Sequence, residues 1–414
     1  MMLTRLHAAT ALLWWSALAP HLDAQTAPPQ APPIAGFQDG FFIQTSNGDN
    51  RLLFGLVAQT DARFSIGDTL GATNTLALRK LRPTLSGRVG RYFDFKVMPD
   101  FGNGTVVVMD AYLDARFSPA FRIRAGKDKT PVGYELLQGD AFLLFPERAL
   151  ASSLVPNRDI GVAAQGDLVG GKLFYSGGVF NGVPDGSSST TDVDTRRSKD
   201  LAGRVVMQPF RTAQTPVGPL NGLGFQVGGS RGRQNGAVPT FRTSSGQAYF
   251  SYAGGVVADG MRTRVTPAVF YFYGPLGAFA EYMFSRQRVA NGTVQSALGN
   301  QAWEVTGSFV LTGEAASDRG VRRAENFDPS ARAWGALQVL GRITELRVDG
   351  DAFALGLAAP GASRSARSWT LALNWYPTPY VKYYVTFERT VFDGDPTGPR
   401  PAENLLLARA QLGF

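Results

Sequence analysis

From about residue 40 to its C-terminus the chain keeps a two-residue period, apolar then polar, in segments of about ten residues. Successive side chains of a strand point to opposite faces, so each segment has one apolar and one polar face. In KLRPTLSGRV (80–89), Lys80, Arg82, Thr84, Ser86 and Arg88 share one parity, and Leu81, Pro83, Leu85, Gly87 and Val89 the other. In 51–64, Leu52, Phe54, Leu56, Ala62 and Phe64 oppose Arg51, Gln59, Asp61 and Arg63. The same reading holds for 92–101, 106–117, 303–311, 368–375 and 405–414. Helical periodicity is nearly absent, and 48 glycines and 25 prolines punctuate the chain with turns, so the fold class is all-β.

Two all-β architectures alternate in this way. A soluble sandwich turns the polar face to water outside; a membrane barrel turns the apolar face to lipid and lines a water-filled interior with the polar one. Aromatic residues gather at segment ends, as in YFYGP (271–275) and NWYPTPYVKYY (374–384), where interfacial girdles require them. Short turns such as FSPA (117–120), VGGK (169–172), YGPLG (273–277) and YPTPY (376–380) alternate with longer polar connections such as 181–200. This is the outer-membrane pattern, with 209–222 and 313–331 as long exceptions. The expectation is a transmembrane antiparallel β-barrel of about 16 strands over 40–414, with QAYFSY (247–252) in a loop so that both chain ends face one side. Pro83 lies on the apolar parity and withholds one ladder hydrogen bond, which predicts a bulge or irregularity there.

No stretch beyond the N-terminus approaches the roughly 20 apolar residues a membrane helix needs. Residues 1–24 read as a signal peptide: Arg5 and His7, an apolar run from Ala8 to Ala19, and Ala24 at the cleavage site. Residues 25–39, containing TAPPQAPPIAG, read as a proline-rich linker. The reading places the exported protein in the outer membrane of a Gram-negative-type bacterium.

The composition excludes much chemistry. There is no cysteine, and the two histidines, His7 and His21, lie within the signal peptide. The mature chain therefore has no Ser-His-Asp or Cys-His catalysis and no ordinary zinc or copper site. No phosphate-binding glycine loop or dinucleotide fingerprint occurs. Asp349-Gly350-Asp351 and Asp393-Gly394-Asp395 lack EF-hand spacing and read as turn chemistry. Neither an enzyme nor a cofactor is expected. The net charge of +8 and pI near 9.7 point to anions. Nucleic acid is not among them, since the chain is exported and carries no recognition signature.

Arginine replaces the hydration of an anion well, because its weakly hydrated fork fits phosphate in a bidentate way. Strand parity sets a row of such groups on the polar faces: Lys80, Arg82 and Arg88; Arg122 and Arg124; Arg204; Arg262 and Arg264; and Lys382. Several moderate sites favour conduction over one tight site. The competing reading pairs these cations with Asp61, Asp94, Asp110 and Asp114, which stiffens the wall and neutralises the row.

The segments FGLVAQTDARF (54–64), DAYLDARFSPAFRIRAGKDKTPVGYE (110–135), FPERAL (145–150), FVLTGE (309–314), WGALQV (334–339), LALNWYPTPYVKYY (371–384) and LLLARAQLGF (405–414) make the chain resemble the porin O and P family, the phosphate-selective outer-membrane porins. The terminal Phe414 is similar to the aromatic end by which outer-membrane barrels are recognised for assembly. The resemblance implies a sixteen-stranded barrel, a homotrimer, and a third long loop, about 127–159, folded into the pore as its constriction. It implies that Lys127 and Asp100 belong to the anion site; Lys129 and Arg148, by their place on the same loop, are further anion-binding candidates, and Arg158 is a weaker one. Asp128 stands where the family pattern has an apolar residue, and its charge weakens the local positive field. The partners implied are inorganic phosphate or other small anions and outer-membrane lipid. A general diffusion porin with weak anion preference, and a surface adhesion or structural barrel, remain as alternatives.

Overall fold

In a computed structural model the described residues are 33–67, 74–189, 198–212, 218–321, 326–394 and 398–414. The expected signal peptide lies outside them. Sixteen strands make the wall: β1 (Arg51–Ser65), β2 (Thr75–Val89), β3 (Phe93–Asp100), β4 (Val107–Ser118), β5 (Phe121–Lys129), β6 (Arg158–Leu168), β7 (Leu173–Phe180), β8 (Asp200–Met207), β9 (Leu223–Gly236), β10 (Val257–Tyr273), β11 (Leu276–Asn291), β12 (Val294–Val310), β13 (Ala336–Arg347), β14 (Ser365–Tyr376), β15 (Val381–Asp393) and β16 (Glu403–Gly413). Each pairs antiparallel with the next, and β16 returns to β1 from Leu405–Ser65 to Gly413–Val57, closing the barrel. Closure satisfies every strand edge internally, which a wall in hydrocarbon requires.

The described part of the proline-rich segment contains a strand, Ile34–Phe37, in a hairpin with Phe41–Gln44. That hairpin pairs with Arg51–Phe54 of β1, the stretch beyond the reach of β16. Phe37, Phe41, Tyr380 and Phe414 meet there edge to face, with centroids 4.9–5.8 Å apart. Stacked pairs Phe117–Phe121 and Trp375–Tyr383 continue the aromatic belt at the same end.

The parity reading holds along the wall. Phe54, Val97, Leu113, Val305, Leu371 and Leu412 point outward and are exposed, while Gln59, Asp61, Asp110, Asp114, Glu304, Thr370 and Arg409 point inward and are buried. QAYFSY lies in the connection 237–256, where Ala248–Phe250 pairs with Phe241–Arg242 apart from the barrel. At the end of the barrel that holds the chain's C-terminus, five connections have at most four residues: 90–92, 119–120, 169–172, 274–275 and 377–380. The connections 208–222 and 311–335 are the long exceptions on that side.

Pro83 behaves differently from expectation. It stays in register opposite Leu56, and the bulge sits at Arg79, between the pairs Gln59–Lys80 and Thr60–Leu78. The missing N–H shows instead on the other side, where β2–β3 pairing stops at Leu85–Val97, just before Pro83 and Pro99 would meet.

Candidate functional site

The connection 130–157 gathers the inward face around itself. Gln226 of β9 donates to Gly133 O (2.8 Å), and Thr266 of β10 accepts from Gly133 N (3.1 Å). Glu281 of β11 accepts from the backbone N–H groups of Tyr134 (2.6 Å) and Glu135 (3.2 Å). Asn374 of β14 donates to Leu144 O, Lys382 and Tyr384 of β15 donate to Leu143 O, and Gln411 of β16 donates to Ala141 O. Its apolar residues Val132, Leu136, Leu150, Leu154 and Val155 form one buried cluster with Met283, Leu298 and Leu346 of the wall. The segment can hold this position because its buried backbone polar groups find inward side chains as partners.

Three carboxylates of the segment meet wall cations. Asp140 takes Lys80 Nζ at 2.7 Å and Arg148 at 3.0 Å, is also bonded by Arg82, and has Arg158 at 3.9 Å. Glu147 pairs with Arg79 and Arg409 (both 3.1 Å) and with Arg63. Glu135 takes Arg342 at 3.2 Å. Burial alone pushes the Asp140 carboxyl up, but Lys80, Arg148, Arg82 and Lys129 together hold it well below its ordinary value. Glu147 is likewise lowered, burial being outweighed by Arg79, Arg409 and Arg63.

Cavities lie on both sides of this segment. On the side of the connection 237–256, a cavity of about 640 Å³ is lined by seven cations, Arg63, Arg79, Lys80, Arg82, Arg148, Arg158 and Arg242, and by two carboxylates, Asp140 and Glu147. On the C-terminal side, one of about 580 Å³ is lined by Arg82, Lys96, Arg124, Lys129, Arg158, Arg204 and Arg319 against Asp39, Asp110, Asp128 and Asp140. Asp140, Arg82 and Arg158 line both.

The remaining candidates fall into distinct settings. Asp100 accepts from Arg82 (2.7 Å) and from the backbone of Leu81 and Gly102. Arg88 pairs with Asp94 (2.8 Å), and Arg124 with Asp114 (2.6 Å) and Asp128 while lying over the Tyr112 ring. Arg158 pairs with Asp110 (2.7 Å), which also takes Lys96. Arg262 and Arg264 sit apart, held by Asp200 (3.3 Å) and Asp185 (2.6 Å). Lys382 lies over the Tyr384 and Tyr376 rings. Arg204 has no carboxylate partner among the described residues: it donates to Gln226 (3.3 Å) and lies over Phe174. Arg122 has a buried Nε without an acceptor among the described residues.

Lys127 and Lys129 lie within β5 rather than in the connection, because pairing to β6 continues as far as Lys129–Arg158. Gly126 (φ +129°) precedes them; an added Cβ would run into Ala111 O and Tyr112 Cα, so only glycine fits this turn of the strand. Lys129 Nζ donates to Leu136 O (2.8 Å) and Gln138 O (2.5 Å). Lys127 lies opposite Ala111 and Ile160, is buried, and lines neither cavity.

Several participants were not singled out by the sequence reading: Asp140, Glu147 and Glu135 of the connection, and Arg79 and Arg342 of the wall. Arg79 sits on the apolar parity of its strand, and only the bulge turns two consecutive cations, Arg79 and Lys80, inward. Arg63 and Arg409 are legible as polar-face residues, but Glu147, which both of them bind, lies on a distant segment.

A family model described as phosphate-selective porin O and P matches residues 55–414. The outer membrane channel DcaP of Acinetobacter baumannii is 14% identical with a TM-score of 0.57, covering 92% of this chain and 100% of that one. An anion-selective porin from Comamonas acidovorans is 12% identical with a TM-score of 0.57 (88% and 100% covered). OmpT of Vibrio cholerae, in its trimer form, is 11% identical with a TM-score of 0.51 (88% and 99% covered). No curated protein matches the sequence. At these identities the solved structures speak for the fold.

Proposed function

Because the chain belongs to the phosphate-selective porin O and P family and forms an outer-membrane porin channel, we propose that the channel favours anions, with phosphate or a related oxyanion as its preferred passenger. The observation that carries this is the lining of the cavity beside the connection 237–256, seven cations to two carboxylates. An oxyanion leaving bulk water loses hydration worth many kcal/mol, and guanidinium groups replace it. The acids present hold the cations in place, and the excess of positive charge lowers the electrostatic cost for an anion while raising it for a cation.

In this reading the connection 130–157 is the constriction. Arg79, Lys80, Arg82 and Arg148 receive the anion on one side; Arg124, Lys129 and Arg204 receive it on the other. Transport is passive, since the lining offers graded contacts rather than a reaction site. Assembly as a homotrimer belongs to the same proposal, supported by the family and by the trimer form of the Vibrio cholerae relative.

Purified protein in a planar bilayer under a KCl gradient tests the proposal. An anion-favouring reversal potential is expected, with phosphate reducing the chloride current. A cation-favouring potential overturns the reading. Anion preference without phosphate block leaves the general diffusion porin, whose support is that most lining cations are already paired.

A further inference from the structure

The outward face carries a group of charges that the passage does not use. Near the end of the barrel remote from the C-terminus, β9 presents Arg231 and Arg233 outward, and β11 presents Arg286 and Arg288. Register sets them in neighbouring rows: Arg231 lies opposite Thr263, and Thr263 opposite Arg286, while Arg233 lies opposite Met261. All four are exposed, and the hydrogen bond found for their side chains is Arg288 to Gln295 Oε1 (3.0 Å). Asp259, outward on β10 between them, lies opposite Asn235 and forms no ion pair among the described residues. Other outward arginines at this end do have partners: Arg347 and Arg367 share Glu345, and Arg389 donates to Asn404.

Geometry brings the four together. Strands stand about 4.8 Å apart, so the backbones of Arg231 and Arg286 are about 10 Å apart, within reach of one headgroup. Gly260 (φ +131°) lies under the Arg288 stem, whose Cδ would be 2.8 Å from an added Cβ. The absent side chain leaves room for the Arg288 stem against β10, while its guanidinium donates to Gln295 of β12. Directly toward the middle of the membrane, an outward trough of about 510 Å³ is lined by Val179, Leu201, Gly203 and Gly229, with Arg231 and Thr263 at its rim. Gly203 lies opposite Gly177 and Gly229, so three adjacent strands carry no side chain in one outward row.

We propose that this face seats an outer-leaflet lipid with a phosphate-bearing headgroup, its phosphate on Arg231, Arg233, Arg286 and Arg288 and one acyl chain in the trough. The placement rests on the outer-membrane reading, in which the longer connections face outside. Exposed cations beside a hydrocarbon surface need an anion, and guanidinium forks match phosphate. The trough runs from the cations into the apolar band, which fits an acylated anion rather than a free one. A second copy of the chain fits less well, because the outward Glu345 at this end is already taken by two arginines.

Native mass spectrometry of the detergent-released protein tests this, with phosphatidic acid and the matching diacylglycerol as probes. Phosphatidic acid is expected to bind at least tenfold more tightly than diacylglycerol, and Arg231→Gln/Arg286→Gln to remove that difference, with the single variants intermediate. Arg389→Gln, on the far side of the barrel, should leave it intact, and excess inorganic phosphate should not displace the lipid. Equal binding of both lipids, retention in the double variant, or equal loss in Arg389→Gln overturns the site. Displacement by free phosphate overturns the lipid in favour of a simple anion, and a change of subunit number in the double variant overturns it in favour of a subunit interface. None of these residues lines the passage, so the outcomes are independent of its selectivity.

Discussion

Asp140→Asn tests the electrostatic argument most directly, because Asp140 fixes the connection 130–157 to the wall and lines both cavities. The substitution keeps size and removes one negative charge. An anion passing about 4 Å away is relieved of a repulsion of about 1 kcal/mol at the dielectric of water, and up to about 4 kcal/mol at an effective dielectric of 20. The passage is wetted, so the lower value applies, and 1 kcal/mol is about fivefold in a permeability ratio. Removing one partner of a buried ion pair costs about 3–5 kcal/mol. The lower end is expected here, since Arg82 keeps Asp100 and Arg158 keeps Asp110. The connection itself stays attached through Glu135–Arg342, Glu147–Arg409 and the Glu281 bonds to Tyr134 and Glu135. The assay is the zero-current potential in a KCl gradient, on protein whose barrel is checked by its heat-dependent mobility on a gel. The chloride-to-potassium ratio should rise about fivefold. An unchanged or lower ratio in a folded barrel refutes the reasoning, because the charge would then lie off the ion's path.

Three further outcomes follow from the same geometry. Glu304 is fully buried beside Glu281 in register, and neither of its carboxylate oxygens has a hydrogen-bond partner among the described residues; Glu304→Gln should therefore stabilise the barrel by about 1–2 kcal/mol, read as a higher urea midpoint, and a lower midpoint shows that the charge has a partner. The carboxyls of Asp140 and Glu147 are lower in the folded protein than in an unfolded chain, so their contribution is fully present above about pH 4 and is lost as pH falls toward the depressed values; single-channel current should be steady at pH 6 and become noisy near pH 3, and a steady trace at pH 3 rules out these contacts as the anchor. Lys127→Ala should leave phosphate block within about twofold, since Lys127 lines neither cavity, whereas Arg82→Ala should weaken the block about tenfold, as expected for loss of a charge-assisted contact worth about 1.5–3 kcal/mol; the reverse order would place the site at Lys127.

The strand pattern was legible almost throughout, because a wall between lipid and water imposes a period of two on every segment. Asp61, Asp94, Asp110 and Asp114 were named as the acids able to neutralise the basic row, and each of them pairs with a cation. The partners themselves could not be read. Arg409 and Asp61 lie on the first and last strands, 348 residues apart, and meet only because the barrel closes. Arg79 was hidden by its parity, which a single bulge reverses, and Pro83 showed its missing donor at the end of a ladder rather than as a bulge.

What the sequence by itself determined is the outside: which residues face lipid, how many times the chain crosses, and which charges point to water. These follow from local alternation, which needs no knowledge of a partner. Only the tertiary structure decided the inside. The connection 130–157 brings Asp140, Glu147 and Glu135 against cations from β1, β2, β13 and β16, segments far apart in the chain. A charge acts over a few ångströms of space and not along the chain, so its balance is set by closure of the barrel and the course of one connection.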